Sequence, residues 1–322
     1  MSDRITSAFG AFSTAREVAA SHDLTGKSVL ITGAATGLGF ETARALAERG
    51  AKIIIGVRKP DLGAAAADEI AKTATGPKPV VEYLDLSDLK TLRDFGERWG
   101  RQKLHIMINN AAVMACPLSR TADDLEMQIG TNHFGHYLLT LLMAPSLQDG
   151  ALDQGRPARL VVLSSIGHRR SPVNFEDMHY RQRPYEKWEA YGQAKTANSL
   201  FAVGFHKRFA AKGVTANAVH PGGIMTPLQR HLPREEMIAM GWMDEAGVVA
   251  QGFKTPEQGA STSTWAALGA ELEGKGGLYL EDCNQAEPAA TAARMRGVAD
   301  WALDPAAADL LWAESVKTTG VG

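Results

Sequence analysis

The chain has 322 residues, 45% of them hydrophobic and 22% charged, with a formal net charge of −2. That composition is ordinary for a folded α/β domain, and the near-neutral balance argues against nucleic acid or an anionic membrane surface as a partner. Cys116 and Cys283 read as free thiols of a reducing compartment. With no signal-peptide pattern and no run of about 20 apolar residues, a cytoplasmic protein without a membrane anchor is expected.

After an N-terminal extension over 1–25, short apolar runs at 28–31, 52–57, 80–84, 105–108, 159–163, 215–219 and 277–280 alternate with helical patterns. The runs are rich in Val, Ile and Leu and show little polar alternation, which suits parallel strands covered on both faces. Helices are expected over 40–49, 62–72 and 89–99, stopping at or near Gly50, Gly76 and Gly100. Strand–helix–strand repetition with right-handed crossovers predicts one α/β domain over 26–322, a doubly wound, mostly parallel seven-stranded sheet flanked by helices. Two insertions, at about 167–190 and 227–255, are expected to act as substrate lids.

The stretch TGAATGLG at 32–39 follows the first strand run and precedes the first of these helices. Backbone amides at a helix N-terminus favour an anion, and Gly33, Gly37 and Gly39 let the chain turn tightly and approach a pyrophosphate. Thr36 and Leu38 lie within that turn. The spacing is G-x-x-x-G-x-G rather than G-x-G-x-x-G, and a plain flexible turn is the alternative for this stretch taken alone.

Further motifs follow in order: LDLSD at 84–88, NNAA at 109–112, TNHFGHYLLT at 131–140, YGQAK at 191–195 and HPGGIMT at 220–226. With the glycine stretch, this ordered set over roughly 26–230 resembles the short-chain dehydrogenase/reductase family. The segment 104–140 is similar to its branch of retinol dehydrogenases and WW-domain-containing oxidoreductases. The resemblance implies a Rossmann-type fold and hydride transfer between an alcohol and a ketone or aldehyde with a nicotinamide cofactor. One departure is Ala112 where the family usually has glycine; another is the lack of the N-terminal anchor that several retinol dehydrogenases carry.

Tyr191 and Lys195 are four apart, so on a helix they share a face. A nearby ammonium is expected to lower the phenol pKa and let Tyr191 exchange a proton with a substrate oxygen. Ser164 and Ser165 end a strand, where such sheets bind ligands and a hydroxyl can hold a substrate oxygen. The resemblance selects Ser165, with Ser164 as the fallback, and makes Asn132 the residue that positions a water beside the lysine. It also gives Asp85 and Leu86 to the adenine, Asn109 and Ala111 to the adenosine ribose, and Lys195 to the nicotinamide ribose. In the loop of Pro221 and Gly222, the Ile224 backbone and the Thr226 side chain go to the carboxamide. His133, His136 and His168 lack metal-ligand spacing, so no metal is expected, and Arg169 and Arg170 read as a solvated loop.

Arg58 and Lys59 directly follow the second strand run, where the chain of such folds reaches the adenosine ribose. A guanidinium there suits a 2′-phosphate, so NADP(H) is favoured over NAD(H), with Asp61 as the competing feature. The insertions carry Phe175, Met178, Tyr180, Tyr185 and Trp188 in the first, and Leu228, Leu232, Met237, Ile238, Met240, Trp242 and Met243 in the second. These side chains fit an apolar substrate pocket and equally fit core or an oligomer interface, a dimer or tetramer being compatible with either. A catalytically dead nucleotide sensor or scaffold and a sugar epimerase or dehydratase are the other functions such a sheet supports.

Overall fold

The computed structural model describes residues 4–293 and 295–322. In chain order its main elements are α1 (Ala15–Ala19), β1 (Ser28–Thr32), α2 (Gly37–Ala47), β2 (Lys52–Val57), α3 (Pro60–Ala71), β3 (Val80–Tyr83), α4 (Leu89–Trp99) and β4 (Ile106–Asn109). Then come α5 (Met127–Ile129), a π-helical turn (Gly130–Gly135), α6 (His136–Gln154), β5 (Ala158–Leu163), α7 (Lys187–Phe209) and β6 (Val214–His220). The chain finishes with α8 (Arg234–Ala239), α9 (Pro256–Gly259), α10 (Ser261–Leu268), β7 (Tyr279–Glu281), β8 (Asn284–Gln285) and α11 (Pro305–Thr319).

The strands form one sheet in the order β3-β2-β1-β4-β5-β6-β7-β8. All seven predicted strands are present and pair in parallel; β8 adds an antiparallel return on β7. The turn into β8 is made by Asp282 and Cys283 at φ 50° and 56°, two non-glycine residues in the left-handed region.

Continuous apolar strands feed two cores because successive side chains point to opposite faces. Leu30, Ile54, Leu160 and Val162 join one core with α4, α6 and α7 residues such as Phe95, Leu138 and Phe205. Their neighbours Val29, Ile31, Ile53, Ile55, Val161 and Leu163 join the other, with Leu46 of α2 and Trp265 of α10. Helix ends follow local chemistry: Asp88 caps α4 by accepting from the Lys90 amide, and Gly100 ends it at φ 63°. The N-terminal extension is not loose: Ala15, Val18 and Ala19 of α1 are buried in the second core, beside α2 and α10.

The strand order reverses between β1 and β4, and α2 follows β1 directly. Ligand clefts of open α/β sheets lie at such a switch point, beyond the carboxyl ends of the strands. A cleft of about 980 Å³ opens there.

Candidate active site

The glycine turn forms the floor of this cleft, with Gly33, Thr36, Gly37 and Leu38 lining it. Gly33 and Gly37 have φ of 69° and 60°, which favours glycine, and a Cβ at Gly33 would lie 2.9 Å from the Ala111 Cβ. Thr36 precedes α2 without a side-chain cap, so its hydroxyl leaves the amides of the first turn to an anion. Gly39 differs from expectation. It is buried, and a Cβ there would lie 2.5 Å from Asn110 Nδ2 and 2.7 Å from the Gly33 carbonyl oxygen. Its smallness serves packing of the turn against the 109–112 loop.

That loop is held from β1. The Thr32 hydroxyl oxygen accepts from the amides of Asn110 (2.9 Å) and Ala111 (3.0 Å), and Asn110 Nδ2 donates to the Thr32 carbonyl at 2.8 Å. Asn110, Ala111 and Ala112 line the cleft. Asn109 does not: its side chain is buried and donates to Thr140 Oγ1 at 2.9 Å. Ala112 stands outside the residues with positive φ, so a Cβ is accepted there without strain.

Asn132 sits in the π-helical turn, fully buried, and clamps the Val113 peptide with two 2.9 Å bonds, Oδ1 accepting the N–H and Nδ2 donating to the carbonyl. Its own carbonyl accepts from His136 Nδ1 at 3.0 Å, while Thr32 Oγ1 donates to His136 Nε2 at 2.8 Å. Burial holds His136 neutral, pushed down to about 4. Asn132 therefore ties the β4 loop to α6 instead of lining the cleft.

At the end of β5, Ser164 and Ser165 separate. The Ser164 hydroxyl donates to the Lys195 carbonyl at 2.8 Å and accepts from Ser199 Oγ at 2.9 Å. The Ser165 hydroxyl accepts from the Gly167 amide at 3.1 Å and lies beside the Tyr191 ring, the two standing 3.4 and 2.9 Å from where a Cβ on Gly167 would sit. Both serines line the cleft with Tyr191 and Lys195, but the Ser164 hydroxyl is tied to α7 while the Ser165 hydroxyl stands beside the Tyr191 ring.

Tyr191 and Lys195 project from one face of α7, the ammonium nitrogen 5.7 Å from the phenol ring centre and donating to the Leu163 carbonyl at 2.9 Å. The direction of the tyrosine shift corrects the expectation. Burial pushes Tyr191 up to about 12, against a smaller opposing effect of the nearby Ser165 hydroxyl, and burial pushes Lys195 down to about 7. Desolvation penalises both charged forms and outweighs the attraction of a lysine pointing at a backbone carbonyl.

Pro221, Gly222, Ile224 and Thr226 continue the wall after β6. Gly222, at φ 104°, is crossed by Lys254: a Cβ there would lie 2.8 Å from Lys254 Cε. Buried Lys254 pairs with Asp282 at 2.7 Å, and Arg296 pairs with the same carboxylate at 2.8 Å. Lys254, Asp282 and Arg296 all line the cleft, as do Ala11 and Phe12 of the N-terminal extension. None carries a sequence motif. Arg58, Lys59, Asp85 and Leu86 lie outside the lining. Arg58 and Lys59 are exposed at the start of α3, Leu86 is buried in the first core, and the Asp85 carboxylate accepts from the Ser87 amide and hydroxyl at 2.9 and 2.6 Å.

The insertions part company here. Leu228, Met240 and Trp242 line the cleft with Met114 and Phe253, backed by Leu232 and Met237. None of Phe175, Met178, Tyr180, Tyr185 and Trp188 does. Phe175 and Met178 pack with Leu125, Phe134 and Leu311 in a separate core. Among the described residues no cluster of His, Cys, Asp and Glu could hold a metal, and no helix is long and apolar enough to cross a membrane.

A glycine turn at the switch point and a tyrosine–lysine pair facing a strand-end serine place the chain in a known class: it belongs to the short-chain dehydrogenase/reductase family, whose short chain dehydrogenase model matches residues 27–237. It is an oxidoreductase of that family, in the retinol dehydrogenase branch. A Streptomyces lividans protein named "Probable oxidoreductase" is 43% identical over 304 residues, 93% of this chain and 100% of that protein. Mouse retinol dehydrogenase 12 is 43% identical over 262 residues, 81% of this chain and 79% of its own. Among solved structures, an uncharacterized protein of Mycobacterium paratuberculosis superposes with a TM-score of 0.69 at 32% identity, covering 94% of this chain and 97% of that one.

Proposed function

We propose that the protein interconverts an apolar or bulky alcohol with its ketone or aldehyde, using NADP(H), with Tyr191 as the acid/base. The observation that carries this is that Tyr191, Lys195 and Ser165 line one cleft that is glycine-floored on one side and walled by Met114, Leu228, Met240 and Trp242 on the other. The uncapped α2 N-terminus, Gly33 and Gly37 fit a dinucleotide pyrophosphate, and Ile224 and Thr226 fit its carboxamide. The nicotinamide, when bound, supplies or receives the hydride, which no side chain can do.

The chain's own groups handle the oxygen and the proton. Ser165 Oγ holds the substrate oxygen beside the phenol. Tyr191, pushed up to about 12, stays protonated at neutral pH and donates its proton to that oxygen in reduction. Lys195, pushed down to about 7, gains its proton as pH falls through neutrality, and the ammonium then stabilises the phenolate left by the transfer. The apolar wall excludes water and strengthens these interactions. The reduction rate is therefore expected to rise as pH falls through about 7; a flat profile across that range contradicts the role given to Lys195.

For the cofactor, Arg58 stands exposed past β2. A charge-assisted hydrogen bond to a 2′-phosphate is worth about 1.5–3 kcal/mol, roughly a 10- to 150-fold preference for NADP(H). The test is a panel of ketones, aldehydes and secondary alcohols read by nicotinamide absorbance with each cofactor. Turnover with NADPH, and loss of most of the NADP(H) preference in Arg58→Ala, are expected. Binding of cofactor without turnover on any of them would instead favour a nucleotide sensor, and equal or better use of NAD(H) would overturn the cofactor assignment.

A further inference from the structure

The family match begins at residue 27, yet the chain before it reaches the cleft. Residues 4–14 form a strap fixed at both ends. At its start the Gln285 amide donates to the Ile5 carbonyl at 2.8 Å, the Ser7 amide to Asn284 Oδ1 at 3.1 Å, and the Ser7 hydroxyl to the Cys283 carbonyl at 2.7 Å. At its end Thr14 and Glu17 form a reciprocal capping box on α1, which is buried against α2 and α10. Between these anchors Gly10–Ser13 is a tight turn, closed by Ser13 N–H to the Gly10 carbonyl at 3.2 Å and by Gly10 N–H to Ser13 Oγ at 3.1 Å. Ala11 and Phe12 sit at its tip and line the cleft, with Phe12 61% exposed.

We propose that this strap is a wall of the dinucleotide half of the cleft, with Phe12 laid against the bound cofactor and slowing its release. The side of approach decides which ligand Phe12 meets. The strap's first anchor adjoins Asp282, which holds Lys254 over Gly222. Its α1 lies beside α9, whose Gly259 abuts Leu38 and Ile224. These are the segments that follow β1 and β6, which fit the pyrophosphate and the carboxamide. The apolar wall expected to receive a substrate, Met114, Leu228, Met240 and Trp242, belongs to a cluster around Tyr191 that contains no strap residue. A rigid turn carrying an aromatic ring loses little conformational entropy when a ligand covers that ring, so the contact acts on the off-rate.

The inference rests on the cleft being a nicotinamide dinucleotide site, and its test needs no substrate. NADPH and NADH are titrated into the wild type, Phe12→Ala and Phe12→Trp, with energy transfer from protein tryptophans reporting binding and stopped-flow displacement giving the off-rate. Phe12→Ala is expected to raise the off-rate and Kd of whichever dinucleotide the wild type prefers by about 5- to 10-fold, and Phe12→Trp to restore slow release. An off-rate in Phe12→Ala equal to wild type would overturn the inference and leave the proposed function standing. A wild type that binds neither dinucleotide would overturn both.

Discussion

Residues 167–190 and 227–255 both leave carboxyl ends of sheet strands, and both are loaded with aromatic and methionine side chains. Their fates differ because of what lies beneath them. The first crosses the groove between α5, α7 and α11, where it buries Val173 and Met178 and packs the half-buried Phe175 against them. It is also internally bonded: the Asp177 carboxylate accepts from the amides of Arg181, Gln182 and Arg183, and the Arg183 guanidinium sits 3.7 Å from the Tyr180 ring centre. The second crosses the open cleft, and Leu228, Met240 and Trp242 stay partly accessible along its wall. Composition sets how much apolar surface a segment offers; the receiving surface decides whether that area becomes core or pocket.

The two meet at one junction. Lys187 Nζ and Trp188 Nε1 both donate to the Glu236 carboxylate, at 2.5 and 2.9 Å, and the Trp188 and Trp242 rings lie 5.9 Å apart, edge to face.

The contrast predicts different kinds of damage. The largest effect is expected from Met178→Ala, which empties a buried site: about 2–5 kcal/mol of stability, seen as a lower denaturation midpoint, with all substrates losing rate alike. A change in substrate preference without loss of stability would move the first insertion into the pocket. Trp242→Ala is expected to do the opposite. It should lower kcat/KM for bulky carbonyl substrates by roughly tenfold and for small ones far less. Uniform loss tracking a fall in melting temperature would make Trp242 a core residue.

The smallest effect tests the junction. The Lys187 hydrogen bond, and after it the Trp188 indole, hold Glu236 below its ordinary value of 4.5. A carboxyl with a lowered folded-state pKa contributes stability above its unfolded pKa and loses it as pH falls through the folded value. Glu236→Gln should therefore cost at most about 1 kcal/mol at pH 7, since the pair is partly exposed, and the gap to wild type should close as pH falls below 4.5 and through the lowered folded-state value. A gap that stays constant with pH would show that the ion pair contributes nothing.

What was legible in the sequence follows the range of the forces involved. The strands announced themselves because, the edge strand β3 apart, both faces of those predicted are buried, and the glycine turn because its amides and φ values are local demands. Tyr191 and Lys195 were legible because one helical turn fixes their relation. β8 was hidden by its brevity and by a turn built on Asp282 and Cys283 rather than glycine. Asn110 takes the cleft position expected for Asn109, a one-residue change of facing set by the Thr140 hydrogen bond. Lys254, Asp282, Arg296 and Phe12 reach the cleft from parts of the chain far apart in sequence, and no local pattern encodes that meeting. The tyrosine pKa went the other way because proximity in sequence says nothing of the desolvation that both side chains share.

The central claim is that Tyr191 delivers the proton. Tyr191→Phe removes the hydroxyl and keeps the buried ring, so the direct measurement is single-turnover reduction beside cofactor affinity in that variant. A fall in rate of roughly 10²-fold or more with the dissociation constant for cofactor nearly unchanged is predicted. Turnover close to wild type would contradict it.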